Sequence, residues 1–257
     1  MTDLLRLEDV TLRYGRLAAV DGVSFSVPRG ARHALIGPNG AGKSSLFSVV
    51  AGTVPATAGR IEFDGDDITT AGEAARVTRG LVRTYQHSSV FLGCSVLDNV
   101  RLAVQRSTGS PLRPFRSRRR DRAVTDEAGR QLQAVGLGDR AGSSAGALSH
   151  GERRQLEVAM VLACRPSMVL FDEPTAGMSA AETERFAALV ESLPGEITVV
   201  IVEHDLDVVF RLADGVTVLA AGKVIASGPP AAIREDEAVH RAYLGVDRTE
   251  ALFPEAS

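Results

Sequence analysis

The chain has no tryptophan, two cysteines, and two lysines among its 29 basic residues. Cys94 and Cys164 are too few and too far apart for a disulfide framework or a cysteine-rich metal cage. That pattern suits a reducing compartment and gives neither thiol a catalytic setting. No apolar run approaches the roughly 20 residues that a bilayer span requires, and the first residues, MTDLLRLEDV, carry acids where a secretion signal needs a basic start. The expectation is that any membrane role comes through a partner. Excess positive charge is missing too: a net charge of −3 and a pI of about 6.0 lack the footprint of a dedicated nucleic-acid binder. What the chain does have is 257 residues that are 44% hydrophobic, enough for one substantial domain with a real core.

The run GPNGAGKSS, from Gly37 to Ser45, follows the apolar stretch Ala34-Leu35-Ile36 and leads into Leu46-Phe47-Ser48-Val49-Val50. It matches G-x-x-x-x-G-K-[ST], a phosphate-binding loop between a strand and a helix. Glycines let the backbone fold tightly so that successive N–H groups face phosphate oxygens, and the helix start adds its positive dipole. The candidate phosphate ligands are therefore Asn39, Gly40, Ala41, Gly42, Lys43, Ser44 and Ser45, with Lys43 as the mobile charge. A plain glycine-rich turn is the competing reading of these residues alone.

Residues 4–14 and 17–27 alternate apolar and polar positions, with turn residues at Tyr14-Gly15 and Asp21-Gly22, and read as antiparallel strands. Met168 to Phe171, Ile197 to Val202 and Val216 to Leu219 are short continuous apolar runs, as expected of strands buried on both faces of a parallel sheet. Helical patterns separate them. Ser179 with Glu182 predicts a capping box, followed by a stripe of Phe186, Leu189, Val190 and Leu193 that ends at Pro194-Gly195. The alternation predicts an α/β core. Ser88 to Leu162 is helical and strand-poor, interrupted by a loop from Arg106 to Arg120, and reads as an inserted helical segment. The last ten or so residues lack periodicity and read as a loose tail.

Asp172-Glu173 ends the Met168 to Phe171 strand, at the carboxyl edge where open α/β sheets bind ligands. An Asp there can hold Mg²⁺ alongside the Ser44 hydroxyl, and the adjacent Glu can orient and deprotonate a water. A solvated acidic turn is the alternative. Glu203-His204-Asp205 ends the Ile197 to Val202 strand in the same way, so His204 is either a γ-phosphate contact or a packing histidine. Gln86 follows the strand-like Leu81 to Tyr85, from where an amide could reach metal and water. Leu148-Ser149-His150-Gly151-Glu152 opens a helix over Arg153 to Ala163. Its Ser149 and Glu152 have the spacing of a capping box, and the same helix start could equally bind an anion.

The order of these motifs resembles that of the ATP-binding cassette (ABC) ATPases, over roughly residues 4–245. The resemblance implies a P-loop α/β core with an N-terminal antiparallel β subdomain and an inserted α-helical subdomain. On this chain the core with its β subdomain spans 1–87 and 163–245, the helical insertion 88–162 and the tail 246–257. It implies ATP and Mg²⁺ as ligands, with Tyr14 stacking on adenine and Gly40, Gly42, Lys43, Ser44 and Ser45 at the phosphates and metal. Gln86 becomes the metal and water sensor, Asp172 a metal-side carboxylate, Glu173 the general base and His204 the γ-phosphate switch. Ser149 and Gly151 complete the site on the opposite subunit of a head-to-tail homodimer or heterodimer. The implied partners are transmembrane permease subunits and, indirectly, a substrate-binding protein, at the cytoplasmic face of the inner membrane.

Two motifs depart from the family pattern. The usual LSGGQ is LSHGE here, with His150 for a glycine and Glu152 for the amide, and Ser179 stands where many relatives carry Asp. VRTYQ, DEPTAGM, IVEHD and the ending RAYLG are similar to the ATPases of branched-chain amino-acid importers and their amide or urea relatives. Lipopolysaccharide-export ATPases share a similar ending. From other classes, a soluble ATP-gated clamp on nucleic acid and a small-molecule kinase are the rivals. Arg113, Arg116, Arg118, Arg119, Arg120 and Arg122 read as a solvated loop or as a contact for anionic headgroups or an acidic partner.

Overall fold

The structure, a computed structural model, describes residues 2–84, 90–107 and 118–244. The first two strands, β1 (Asp3–Tyr14) and β2 (Leu17–Pro28), pair antiparallel across the Gly15 turn, as expected from their alternation. Asp21-Gly22 does not turn the chain; it lies inside β2. Val10 opposes Val23 and Leu12 opposes Val20, so β2 carries one extra residue between them, and Gly22 at φ 65° takes up the resulting bulge. After β3 (Arg32–Ile36) comes α1 (Lys43–Ala51), and then β4 (Ala58–Phe63) and β5 (Asp66–Asp67) complete a four-stranded antiparallel sheet in the order β2-β1-β4-β5.

A short α2 (Glu73–Thr78) leads to β6 (Leu81–Arg83). Three helices follow: α3 (Val96–Ser107), α4 (Arg118–Ala134) and α5 (His150–Ala163). Helix α5 begins three residues before the expected Arg153, because Ser149 is its N-cap: its hydroxyl accepts from the Glu152 N–H while the Glu152 carboxylate accepts from the Ser149 N–H. Helices α3 and α4 likewise take up both ends of the expected 106–120 loop. Of the arginine cluster, Arg113 and Arg116 lie outside the described residues, as does the 246–257 tail.

The chain then alternates β7 (Met168–Asp172), α6 (Ala180–Glu191), β8 (Thr198–Val202), α7 (Leu206–Leu212), β9 (Gly215–Ala220) and β10 (Lys223–Gly228), and closes with α8 (Pro230–Glu235) and α9 (Glu237–Leu244). Helix α6 starts at the Ser179–Glu182 capping box that its sequence predicts. Strands β3, β6, β7, β8 and β9 are parallel and β10 adds an antiparallel edge, in the order β10-β9-β3-β8-β7-β6.

Period-2 alternation divides this sheet's apolar side chains between two cores. Ala34, Ile36, Val169, Phe171, Val199 and Ile201 join the apolar sides of α3, α4 and α5. Leu35, Met168, Leu170, Val200 and Val202 join α1 and the antiparallel sheet. The whole carboxyl edge of the sheet is thereby fixed from both sides.

Arg76 of α2 is almost fully buried, at 1% exposure, and donates to five carbonyls: Val49 and Val50 at the end of α1, Ile68, Thr69 and Ala71. Burial lowers its pKa to about 10, so it stays charged at neutral pH. A cation at a helix C-terminus also complements the helix dipole.

Candidate functional site

The loop between β3 and α1 has a backbone that only glycine can supply at two positions. Gly37 lies at φ 149° and Gly42 at φ 102°. A Cβ on Gly37 would come within 2.1 Å of the Leu219 carbonyl oxygen, and one on Gly42 within 2.3 Å of that of Ala19. Gly42 is also the N-cap of α1, with no side chain on the first-turn N–H groups and no acid in that turn. Those donors, with the helix dipole behind them, form an anion cradle. Lys43 is buried and donates to the Gly37 carbonyl at 2.6 Å and the Pro38 carbonyl at 3.1 Å. Burial lowers its pKa, opposed by the negative charges of Glu173 and Asp172. Asn39, Gly40 and Ser44 are exposed, Ser45 is half-buried, and Ala41 is buried.

Asp172 ends β7 at 2% exposure. Its Oδ2 accepts from Arg83 Nη2 at 2.6 Å, while its buried Oδ1 has no hydrogen-bond partner among the described residues. Glu173 follows at φ 46°, a left-handed backbone uncommon for a side chain of its kind, and its N–H is fixed to the Val202 carbonyl at 2.9 Å. Non-glycine residues held in this region cluster at functional sites. Glu173 Oε1 lies 2.8 Å from His204 Nε2, so the ends of β7 and β8 bring the two together.

Two charged residues that sequence reasoning passed over hold this edge in shape. Buried Glu203 accepts from the N–H of Thr175 at 2.9 Å and from its hydroxyl at 2.7 Å, and also from the His204 N–H at 3.0 Å. Buried Arg154 of α5 pairs with Glu157 at 2.6 Å and donates to the Pro174 carbonyl at 3.1 Å. A charged residue directly after an apolar strand run is the only signal that the sequence offers for Glu203.

Ser149 and Gly151 gather on a different surface. They share a cleft of about 330 Å³ with Glu152, Met178 and Glu182. The Gly151 N–H donates to Glu182 Oε1 at 3.2 Å, while Glu182 Oε2 accepts from the Ser179 N–H and hydroxyl. The Ser179 bonds, and then the Gly151 N–H, lower the Glu182 pKa. Glu152 is lowered mainly by the Ser149 N–H. The Glu152 carboxylate is thus turned back into the cap, as its capping-box reading predicts. Tyr14 is exposed at the end of β1, and Gln86 lies outside the described residues.

A strand, a glycine loop with a buried lysine, and paired carboxylates at the sheet edge make a nucleotide-hydrolysing site the natural candidate. Residues 20–176 match the family described as ABC transporter. The chain belongs to that family. As a cassette of this kind it is an ATP-binding, ATP-hydrolysing subunit coupled to transport, and its P-loop α/β architecture is the one expected. Residues 223–249 also match the family described as branched-chain amino acid ATP-binding cassette transporter. The chain is 34% identical to the high-affinity branched-chain amino acid transport ATP-binding protein BraF of Pseudomonas aeruginosa, across 94% of this chain and 98% of that protein. It is 32% identical to LivG of Escherichia coli K12, which bears the same description, with the same coverage. The lipopolysaccharide export system ATP-binding protein LptB of Escherichia coli K12 is 35% identical across 95% and 98%. A solved ATP-binding cassette of an ABC transporter in its ADP conformation superposes with a TM-score of 0.82 at 30% identity, covering 95% of this chain and all of that one.

Proposed function

We propose that this cassette powers the import of branched-chain amino acids or related amides from the cytoplasmic face of the membrane. Support comes from the names of BraF and LivG and from the match at 223–249. Export in the manner of LptB is the second reading, since overall identity does not separate the two. The 223–249 match favours import. In this reading permease subunits supply the transport path; no helix among the described residues is long and apolar enough to cross a membrane. A separate substrate-binding protein selects the solute.

In this reading two cassettes, identical or different, face each other head to tail. Each nucleotide lies between the loop of one and the Ser149–Gly151 helix start of the other. Gly40, Ala41, Gly42 and Ser45 donate to phosphate oxygens, Asn39 lines the loop mouth, and Tyr14 stacks on the base. Lys43 exchanges the Gly37 and Pro38 carbonyls for the terminal phosphates, a trade of neutral for charged acceptors that strengthens each bond.

Among the described residues there is no cluster of three or more His, Cys, Asp or Glu able to hold a metal alone. Asp172 Oδ1, buried and without a protein donor, nevertheless fits a hard cation that takes its remaining ligands from phosphates and water. Ser44, Gln86 and Asp172 would hold Mg²⁺, which supplies charge neutralisation at the phosphates. Glu173 takes the proton of the attacking water, and His204 orients it and senses the terminal phosphate. The observation that carries this assignment is the 2.8 Å Glu173–His204 pair on a strained backbone beside Lys43. Exposed Phe91 and Leu92 precede α3 and offer the permease a contact through which closure is passed on.

Glu173→Gln is the direct test. It is expected to keep ATP binding and to cut phosphate release at least about 10²-fold. Unchanged turnover removes Glu173 as the base.

A further inference from the structure

Arg83 is the last residue of β6, and its guanidinium bridges two parts of the nucleotide site. Nη2 donates to Asp172 Oδ2 at 2.6 Å, across to β7. Nη1 donates to Ser48 Oγ at 3.3 Å, on α1 one turn beyond Ser44, whose carbonyl accepts in turn from that hydroxyl at 2.8 Å. The side chains are 11% and 2% exposed for Arg83 and Asp172, so this is an ion pair held away from water. A carboxylate so deeply buried has few partners from which to take its orientation. Arg83 holds one oxygen and leaves the other without a protein donor.

We infer that Arg83 is a positioning residue for the metal: it fixes the Asp172 carboxylate so that Oδ1 is the oxygen presented, with Ser48 and hence α1 held in register. The inference rests on the assignment of Asp172 to the metal side made above. Two structural points favour orientation over simple charge balance. The planar fork reaches acceptors on two different elements from two separate nitrogens in fixed directions, whereas an ammonium gathers all its donors on one atom. Thr84, the next residue, is also pinned to β7 through its N–H to the Leu170 carbonyl at 2.9 Å, so the base of the arginine cannot drift.

The measurement is the affinity for ATP of the full chain, by calorimetry, in EDTA and across a magnesium titration, with circular dichroism to verify folding. Arg83→Lys keeps the charge and loses the fork. It is expected to leave the EDTA affinity within about twofold while raising the magnesium concentration for half-saturation about tenfold, the usual cost of removing a partner that orients a metal ligand. Ser48→Ala, which leaves no buried charge behind, is expected to raise it about threefold. An unchanged magnesium midpoint in a folded Arg83→Lys chain overturns the inference. Should that variant not fold, Ser48→Ala decides: a raised midpoint supports the inference and an unchanged one overturns it. Asp172→Asn separates the two levels. If it leaves the magnesium response intact, the metal-side reading of Asp172 fails. If it abolishes the response while Arg83→Lys does not alter it, only the role of Arg83 fails.

Discussion

Helices α1 and α5 both begin at the sites assigned to phosphate, yet their first turns are built in opposite ways. Helix α1 is capped by Gly42, which brings no side chain to the first N–H groups, and no acid stands in the turn. Helix α5 is capped by Ser149 and Glu152 in a closed box, and its Gly151 N–H already donates to Glu182 of α6. One helix start has its donors free of carboxylates, and the other has them engaged by the chain's own acids. If the two helix starts take phosphate as proposed, the difference teaches that a single cassette would hold nucleotide at its loop, whereas the second contact would first have to displace Glu182. It also accounts for Glu152 in LSHGE: its carboxylate is turned into the cap, bonded to the Ser149 N–H at 2.8 Å.

The sharpest way to break the contrast is Ser149→Arg, which fills the α5 start and leaves α1 alone. Hydrolysis by the paired cassettes is expected to fall by about 10²-fold, as when one charge-stabilising donor is lost, with nucleotide binding by the separate chain retained. Full activity would remove Ser149 and Gly151 as a phosphate contact made across two cassettes. Lys43→Ala attacks the other helix. Loss of a charge-assisted hydrogen bond of about 1.5–3 kcal/mol predicts a fall in ATP affinity of roughly 10- to 100-fold, read by calorimetry. A smaller effect is expected from Glu182→Gln, since a neutral amide holds the Gly151 N–H less firmly. The ATP concentration for half-maximal hydrolysis should drop about threefold; an unchanged or higher value would show that Glu182 does not compete with phosphate.

Acid should reveal the same asymmetry most gently. Glu152 and Glu182 both have pKa values lowered in the fold, so their contribution is present above the ordinary carboxylate value of 4.5 and is lost as pH falls below it. Amide exchange of Gly151 and Glu152 is therefore expected to gain relative to that of Leu46, whose N–H bonds to the Gly42 carbonyl, on going from about pH 6 to about pH 3. Parallel changes at both helix starts would remove the distinction.

Much of this arrangement is legible in the sequence where the signal is local. The Gly37–Ser45 loop, the buried strands β7, β8 and β9, and both capping boxes follow from spacing within a few residues. Asp21-Gly22 misleads because a glycine with positive φ serves a bulge as readily as a turn. What stays hidden is long-range pairing of charge. Arg83 with Asp172, Glu203 with Thr175 and Glu182 with Gly151 join residues separated by 89, 28 and 31 positions. No periodicity encodes such meetings; they exist only once the strands lie side by side.

Arg76 gives the phosphate helix a fixed heel. Helix α1 has nine residues and is about 13 Å long, and the carbonyls at its far end are lashed by one guanidinium to the segment between β5 and α2. A pull on its glycine end cannot be absorbed by fraying at the other. Loosening that last turn would strip acceptors from a buried cation, so the far end of α1 is tied to the segment beside the antiparallel sheet.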